Sequence, residues 1–477
     1  MIHKSLLAIL AVALSFSFAS CLNDDDDKYA DYDDTAVISF QLQQMNAYVH
    51  TTTSEGKDSV FRAYVDGTKV PIYIDHINNK IYNVDSLPVG TDMEHIVVEL
   101  STKNRCYAMW RSLEEDRLLY HSSEDSLDFS VPRELYVFTT DGKYYRTYNV
   151  NITKHQQQGD NFYWKKVGEV ATLGTLTGMR AASEGDVVYL AGTTGSNTLL
   201  YHTGIDDGVN WTLSNITLPA TAWQTMQMHN GKPHFTDGNG TLYVVNVDNG
   251  GIPTGVVSHS VSGLHALIAS DNDHLYGVNN AGQIVRTLTT ESYSIWTTEK
   301  LDDEKTWLPV QHITSTHMPL AISSTGGKLV VVGNRDIITF PNDTAAIVWS
   351  KITGSEEQFA GGAWMHYTGT NAKYSLPRMF NMCTIAYGND IIALGGQPLG
   401  NTQTKALSTF FRSMDGGLSW QNDTRISIPS GLKCSTTVFA LTTDNNKYIW
   451  LICGESGEVW KGRLNRMAWK EQQKEFK

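Results

Sequence analysis

A long excursion from an otherwise regular strand pattern carries residues that could bind a carbohydrate. It lies between residues 349 and 379 and includes the glycine-rich segment Gly361-Gly362-Ala363. The side chains in it that could contact a ligand are Trp364, His366, Tyr367 and Arg378. Aromatic rings pack against the C–H faces of sugars, while imidazole, phenol and guanidinium groups form hydrogen bonds with hydroxyl groups. We therefore expect this loop to contact a glycan.

A second stretch has the same character. Trp223 lies close in sequence to Gln224, Gln227 and His229, which gives one large ring beside several hydrogen-bonding groups. Both stretches have a structural alternative, since the chain contains 12 tryptophans and most of them are expected in the core. In that alternative Trp223 and Trp364 pack between neighbouring sheets and contact no ligand.

A sialidase-like hydrolase is the enzymatic alternative, and it needs a more demanding set of residues. It requires arginines around a carboxylate, a Tyr–Glu nucleophile pair and an acidic catalyst. The arginines available are Arg180, Arg286, Arg335, Arg378, Arg412 and Arg425. The sequence lacks the motif Phe-Arg-Ile-Pro, for which Met179-Arg180-Ala181-Ala182 is a poor substitute. We expect binding without catalysis and keep the hydrolase as the alternative.

Motifs for other chemistries are missing from the sequence. It contains no Gly-x-Ser-x-Gly elbow, no His-Glu-x-x-His pair and no glycine-rich phosphate loop. His312 and His317 lack a carboxylate at metal-ligand spacing. We therefore expect no catalytic residues, no metal and no cofactor.

A repeated turn motif indicates the architecture that positions these residues. Ser413-Met414-Asp415-Gly416-Gly417-Leu418-Ser419-Trp420 matches the Asp-box pattern, in which Asp accepts backbone N–H groups, Gly takes a positive φ and Trp packs under a hairpin. Its structural residues are Ser413, Asp415, Gly417 and Trp420. Residues 206–211 form a weaker copy, and residues 302–307 keep the spacing without the glycine. Asp-boxes occur on the outer part of propeller blades, so they predict a fold and no activity.

Residues 160–470 repeat one unit of turn, strand, turn and strand. Units begin near Gly185, Gly231, Asp273, Gly327 and Gly388, and a last one near Lys447. A spacing of roughly 40–60 residues is typical of propeller blades. The sequence therefore predicts a β-propeller of about six blades, or seven if one is degenerate, with faint kelch-like features at Gly395-Gly396.

Residues 35–153 show short alternating runs of apolar and polar residues, which predict β-strands. Asp141-Gly142 lies between two such runs and predicts a hairpin. A domain of this length with about seven strands is most simply a β-sandwich. The polar segment 154–160 is the expected boundary between the two domains.

The amino terminus resembles a bacterial lipoprotein leader. Residues 1–20 have a basic start, an apolar core and a small residue before Cys21, which resembles a lipobox and implies acylation of the Cys21 sulfur. The acidic residues of segment 21–34 resemble a surface-export signal, and the alternative is a solvated linker. We expect a protein held by lipid at the cell surface.

Charge and cysteine content limit the partners. The net charge of −13 argues against nucleic acid as a partner. Four further cysteines, Cys106, Cys383, Cys434 and Cys453, have no metal-binding spacing and are expected as buried thiols. Cys434 and Cys453 could form a disulfide if they lie on neighbouring strands.

The chain as a whole resembles an uncharacterised family of Bacteroides surface lipoproteins. The similarity is carried by the stretch from Asp128-Phe129-Ser130 through Tyr136-Val137-Phe138, Asp141-Gly142 and Tyr148-Asn149-Val150, and by the opening of the mature chain. The resemblance implies an immunoglobulin-like domain followed by a β-propeller, in an outer-membrane lipoprotein exposed at the cell surface. Its implied partners are membrane lipid and either a glycan or an outer-membrane protein. The third possible function is a structural scaffold of an outer-membrane complex.

Overall fold

The computed structural model describes residues 34–52, 57–288, 293–320, 323, 325–354, 362–367, 374–402, 404–435 and 437–468. The predicted leader 1–20, the lipidation residue Cys21 and the tether up to residue 33 lie outside this range, as does Gly361. The described residues form 35 β-strands with a few short 3-10 helices, so the prediction of an all-β chain is confirmed. The chain divides into two compact units at Gln158.

The first unit contains 11 strands, more than the approximately seven expected, and two of them, at residues 118–120 and 126–127, are too short to show alternation in sequence. Its strands are β1 (Val37–Leu42), β2 (Gln44–Thr52), β3 (Asp58–Asp66), β4 (Ile72–Asp75), β5 (Lys80–Asn83), β6 (Ile96–Thr102), β7 (Tyr107–Arg111), β8 (Leu118–Tyr120), β9 (Ser126–Leu127), β10 (Arg133–Phe138) and β11 (Tyr145–Asn151). They form sheets β1-β6-β9, β4-β5-β11-β10-β7-β8 and β2-β3. The predicted hairpin at Asp141-Gly142 joins β10 to β11.

One apolar core holds the first unit together. Inward residues of the three-stranded and six-stranded sheets, such as Phe40 and Trp110, belong to the same buried cluster. The rings of these two residues meet edge to face with their centres 6.4 Å apart. Alternate residues of both sheets are therefore buried in one core.

The second unit contains the remaining strands, arranged as six four-stranded antiparallel sheets among the described residues. They are β12 (Phe162–Glu169), β13 (Gly178–Glu184), β14 (Val187–Thr193), β15 (Asn197–Gly204), β16 (Thr212–Pro219), β17 (Gln227–His229), β18 (Lys232–Thr236), β19 (Thr241–Val247), β20 (Pro253–Ser260), β21 (Leu264–Ser270), β22 (His274–Asn279), β23 (Ile284–Leu288), β24 (Thr297–Thr298), β25 (Gln311–Pro319), β26 (Gly327–Asn334), β27 (Ile347–Thr353), β28 (Met365–His366), β29 (Cys383–Tyr387), β30 (Asp390–Leu394), β31 (Phe411–Ser413), β32 (Gln421–Asn422), β33 (Phe439–Thr443), β34 (Ile449–Cys453) and β35 (Glu458–Leu464).

The sheets follow one another around a closed ring. The inner strands are β13, β17, β21, β25, β29 and β33, and each contacts the next, with β33 returning to β13. The ring is closed by β12, the first strand of the unit, which pairs with β35 and completes the last sheet. Pairing the first strand with the last sheet leaves no open junction in the ring.

Neighbouring sheets pack through apolar faces. Val188 of β14 and Trp450 of β34, for example, lie in one buried cluster shared by the first and last sheets. Short 3-10 helices lie at Gly67–Lys69, Lys103–Arg105, Leu173–Thr175, Ala222–Thr225, Lys305–Trp307 and Asn465–Ala468. Within the described ranges, no helix has the length and apolar composition needed to cross a bilayer.

Candidate functional site

The main cavity of the second unit, which we call the central cavity, has a volume of about 920 Å³ and opens at the ends of the inner strands. Segments at or just before the start of every inner strand contribute to its wall. The residues that decide its chemistry are Arg180, Trp223, Gln224, Asp237, His265, Gln311, His312, Phe380 and Asn381. In a ring of sheets, such loops surround the central channel and are free to vary without disturbing the core. A shallower depression of about 680 Å³ lies in the first unit.

Arg180 connects opposite sides of the ring. It lies in β13, and its Nη2 donates a hydrogen bond to the carbonyl oxygen of Ile313 in β25, three inner strands away. The pairing of β25 with β26 is irregular between Gln311 and Thr314, which takes Ile313 out of the regular ladder. Burial lowers the pKa of Arg180, although the guanidinium stays charged at any physiological pH.

His312 lies in the same irregular stretch and has a positive φ of 51°. Its ring packs against Phe380, with ring centres 4.3 Å apart and planes inclined by 55°. Burial, together with the charges of Arg180 and Arg378, lowers the pKa of His312 to about 4. The imidazole is therefore neutral near pH 7 and can both donate and accept a hydrogen bond.

Trp223 lies in the 3-10 helix Ala222–Thr225 and is half-buried. A side-chain carbon on Gly178 would come within 2.4 Å of its indole ring, so the absence of a side chain at Gly178 makes room for the ring. Gly178 and Arg180 are two residues apart in β13 and therefore share one face of the strand. Trp223 and Arg180 are thus neighbours in the cavity wall, a relationship that sequence spacing cannot show.

Asp237 is the acidic residue among those lining the cavity in the described part of the chain. Its Oδ1 accepts backbone N–H groups from Asn239 at 2.8 Å and Thr241 at 3.0 Å. Burial would raise the pKa of the Asp237 carboxyl, but these hydrogen bonds outweigh it and hold the pKa below its ordinary value. This carboxylate is engaged by its own turn.

His229, predicted beside Trp223, lies in the inner strand β17 and is buried. Its Nδ1 is 3.1 Å from the carbonyl oxygen of Asp271, and its ring meets His234 edge to face. Burial lowers the pKa of His229. Gln227 is also buried and accepts a hydrogen bond from Ser315. Of the predicted residues Trp223, Gln224, Gln227 and His229, the first two line the central cavity.

The other predicted binding residues lie away from the central cavity. Trp364 is completely buried and meets Tyr276 edge to face, with centres 5.4 Å apart. The His366 ring lies between Trp307 and Trp349 at 5.2 and 5.0 Å, and its Nδ1 is 2.7 Å from Asp303. These contacts make Trp364 and His366 part of the packing between sheets.

Tyr367 and Arg378 are also tied to the protein interior. The ammonium group of Lys328 lies 5.1 Å from the centre of the Tyr367 ring. Arg378 is fully buried and donates to the carbonyl oxygens of Phe340 and Arg335. Burial lowers the pKa of Arg378. A role of these four residues in ligand binding stays a prediction, and the structure gives them no access to the central cavity.

The predicted Asp-box has the expected geometry. It joins β31 to β32, where the Asp415 carboxylate accepts the Ser413 hydroxyl at 2.8 Å and the Ser419 N–H at 2.9 Å. Trp420 is buried and donates to the carbonyl oxygen of Gly417 at 3.1 Å. Gly417 has a φ of 96°, which favours glycine.

The weaker Asp-box at residues 206–211 shares this geometry. The prediction of a third Asp-box at residues 302–307 is wrong. Trp211 donates to Gly208 at 3.0 Å in the turn between β15 and β16. Residues 302–307 instead lead through a 3-10 helix into the inner strand β25. A single contact of the same kind occurs before β24, where Trp296 donates to the carbonyl oxygen of Tyr293 at 3.0 Å.

The four cysteines within the described ranges are free thiols. The Cys434 thiol donates to the carbonyl oxygens of Ser435 and Val438. The nearby Cys434 thiol and burial raise the pKa of Cys453. In the described residues, no group of three or more His, Cys, Asp or Glu side chains could hold a metal ion.

Solved structures similar to this chain share low sequence identity with it. An enzyme of carbohydrate-active family AA12 from Trichoderma reesei has 8% identity over 64% of this chain and 96% of its own, with a TM-score of 0.43. The PQQ domain of pyranose dehydrogenase from Coprinopsis cinerea has 9% identity over 63% of this chain and 95% of its own, with a TM-score of 0.38. BamB from Moraxella catarrhalis has 10% identity over 80% of this chain and 93% of its own, with a TM-score of 0.29. No ligand or activity is transferred from similarities this low.

Family models match both units, and no curated protein matches the chain. The model described as the N-terminal domain of DUF6242, a domain of unknown function, matches residues 40–152. The model described as the DUF6242 beta propeller domain matches residues 158–472, which is more than half of the chain. The chain therefore belongs to the DUF6242 family, and its second unit is a β-propeller.

Proposed function

We propose that this protein is a lipid-anchored cell-surface binding protein that recognises a glycan through the central cavity without catalysing a reaction. The observation that carries the proposal is the composition of the cavity wall. It combines the rings of Trp223 and Phe380 with the hydrogen-bonding side chains of Gln224 and Gln311. Sugar ligands require this combination of flat apolar surface and polar groups.

The wall favours binding over glycan hydrolysis. A sialidase-like site needs several arginines around the substrate carboxylate and at least two further catalytic groups. Among the described lining residues, Arg180 is the one arginine and Asp237 the one acidic residue. Because Asp237 is held by N–H groups of its own turn, a pair of carboxylates at catalytic spacing is not available there.

The remaining parts of the proposal concern architecture and location. We propose that each four-stranded sheet of the second unit is one blade, which gives a six-bladed propeller. We propose that the first unit is an immunoglobulin-like spacer. Acylation of Cys21 and the acidic segment after it would place both units outside the outer membrane of a Bacteroides-like bacterium. The net charge of −13 supports a partner other than nucleic acid.

A glycan array tests the proposal. The full chain, purified in mild detergent, is applied to immobilised glycans, and sugars released into the same wells are measured. We expect binding without release. Release of sugars would support the hydrolase alternative, and absence of both binding and release would reject glycan recognition.

A protein partner or scaffold role is the second candidate, favoured by one feature of the first unit. The outward face of its six-stranded sheet carries a row of contacting rings, namely Tyr107, Tyr120, Tyr136, Phe138 and Tyr145. Tyr120 and Tyr145 are more than half exposed. Exposed aromatic groups of this size are common in protein interfaces. The test is a pull-down of outer-membrane proteins with the full chain. Specific capture that is lost when Tyr120 and Tyr145 are replaced by alanine would support this candidate.

A further inference from the structure

Arg180 lacks the ionic partner that most arginines of the propeller have. The carboxylates that pair with the others are Glu299 for Arg286, Asp343 for Arg335, Asp390 for Arg412 and Arg425, and Asp160 for Arg466. Arg180 has one acceptor among the described residues, the carbonyl oxygen of Ile313.

The other arginines without a carboxylate have different surroundings. Arg378 donates to two carbonyl oxygens and lies outside the cavity wall. Arg463 donates to Asn446 and lies over the Tyr448 ring. Arg180 alone combines a single protein acceptor with a position in the wall, within the part of the chain that the structure describes.

The unused N–H groups of Arg180 are accessible from the cavity. A guanidinium carries five N–H donors, of which the contact with Ile313 uses one. No nitrogen of Arg180 belongs to the buried side-chain atoms that lack a partner, so the unbonded ones retain access to open space. Burial lowers the pKa of Arg180, which shows that the charge is poorly solvated there. A bound anion would supply both charge and acceptors.

We infer that the ligand of the central cavity carries an anionic group, in the first place the carboxylate of an acidic sugar, and that Arg180 binds this group. Carboxylates suit the planar fork of a guanidinium, which can donate two parallel hydrogen bonds. The inference rests on the proposed function for the sugar part of the ligand, but the anion site stands on the geometry of Arg180 alone.

The neighbours of Arg180 fit the rest of such a ligand. The Trp223 ring packs over Gly178, two residues from Arg180 on the same strand face, so an aromatic surface lies beside the cation. Across the cavity His312 packs on Phe380, and the low pKa of His312 keeps it neutral near pH 7. A ring bearing a carboxylate could thus stack on Trp223 while its charge meets Arg180.

Charged and uncharged probes test the inference. The probes are D-glucuronate, its methyl ester, glucose and inorganic sulfate, with binding to the full chain followed by saturation-transfer NMR and by thermal shift. We expect saturable binding of glucuronate and at least about tenfold weaker binding of the methyl ester and of glucose, since charged hydrogen bonds are the stronger ones.

Two variants of Arg180 and one control variant locate the anion. Arg180→Gln is expected to weaken glucuronate binding by about tenfold or more, while Arg117→Gln, which removes the same charge from an exposed site of the first unit, leaves it unchanged. Arg180→Lys keeps the charge without the planar fork, so it should fold like the wild type and bind with intermediate affinity. Circular dichroism and melting curves of all variants verify that they are folded.

Each outcome decides between the two proposals. Equal binding of glucuronate, its ester and glucose would overturn the anion site and keep glycan recognition. Binding of sulfate but of no sugar, lost in Arg180→Gln, would keep the anion site and reject glycan recognition. Glucuronate binding that Arg180→Gln leaves intact in a folded variant would overturn the role of Arg180. Binding of none of the four probes would overturn both proposals.

Discussion

Arg180 in β13 donates a hydrogen bond to the carbonyl oxygen of Ile313 in β25, so one side chain spans the ring of inner strands below the cavity. Ile313 lies in the stretch of β25 between Gln311 and Thr314, where the pairing with β26 is irregular. Because β25 is an edge strand of its sheet, a carbonyl that faces away from β26 can accept a side-chain hydrogen bond. The same irregularity gives His312 its positive φ and brings its ring onto Phe380. A local distortion of one strand thus shapes two residues of the candidate site.

Gly178→Ala is expected to displace Trp223 and weaken ligand binding. The added carbon would lie 2.4 Å from the indole ring, which must then move or tilt. We expect about a tenfold loss of affinity for a glycan identified on the array, because stacking on an aromatic ring contributes about 1 kcal/mol or more. Gly255→Ala is the matched control, since a carbon there meets no atom within 4 Å. Equal affinity of the two variants would contradict the role of Trp223.

Trp364→Ala is expected to reduce stability and leave binding unchanged. The side chain is completely buried among residues of β22, β26 and β27, so its loss leaves a large cavity. Replacing a buried aromatic residue by alanine costs about 3–5 kcal/mol. Chemical denaturation would measure the free energy of unfolding. Titration with the ligand, at a temperature below the melting transition of the variant, would measure affinity. Loss of affinity in a fully folded variant would return Trp364 to the binding site.

Asp415→Ala is expected to lower the free energy of unfolding by about 1–2 kcal/mol without affecting binding. The carboxylate holds the Asp-box turn through the Ser413 hydroxyl and the Ser419 backbone. Asp415→Asn keeps one acceptor oxygen and should be milder. Urea unfolding of the three proteins gives the comparison, and a neutral effect of Asp415→Ala would show that Trp420 packing alone maintains the turn.

Stability is expected to fall as the pH drops from about 6.5 towards about 3, because buried histidines resist protonation. Burial and the charges of neighbouring His229 and Lys232 lower the pKa of His234 to about 3. Over this interval the unfolded chain binds a proton that folded His234 does not, so acid favours unfolding. Above about pH 6.5 neither state is protonated at this residue, and its contribution is independent of pH.

Melting curves of the wild type and of His234→Gln between about pH 7 and pH 4 would measure this effect. The variant should be less stable at pH 7, since it disturbs the hydrogen bonds to Lys232 and Tyr293, but its melting temperature should depend less on pH. His265→Gln, at an exposed position, should keep the wild-type slope. Identical slopes in all three proteins would exclude His234 as a source of the pH dependence.

Much of the fold could be predicted from local sequence patterns. The run Val187-Val188-Tyr189-Leu190 between two turns gives the buried strand β14, and Asp141-Gly142 gives the hairpin of β10 and β11. Such features depend on residues close in the chain. The false Asp-box copy at residues 302–307 has a similarly local cause, because without a glycine the Asp and Trp spacing fits a 3-10 turn as well.

The candidate site could be predicted only in part. A large ring beside hydrogen-bonding groups identifies Trp223, which lines the cavity, but the same pattern also selects Trp364, which is buried between sheets. Arg180 of β13, His312 of β25 and Phe380 of the segment before β29 come together in the cavity wall although they are far apart in sequence. Their proximity depends on the closure of the ring and on an irregular strand, and neither leaves a periodic pattern in the sequence.

Glycan-array profiles of the wild type, Trp223→Ala and Asp207→Ala would test the central claim most directly. Asp207 lies in an Asp-box turn, where it accepts the backbone N–H groups of Val209 and Asn210, and it is absent from the cavity wall. We predict that the wild type and Asp207→Ala bind the same glycans and that Trp223→Ala loses them. Equal binding by the wild type and both variants, or binding by none of the three proteins, would contradict glycan recognition through the central cavity.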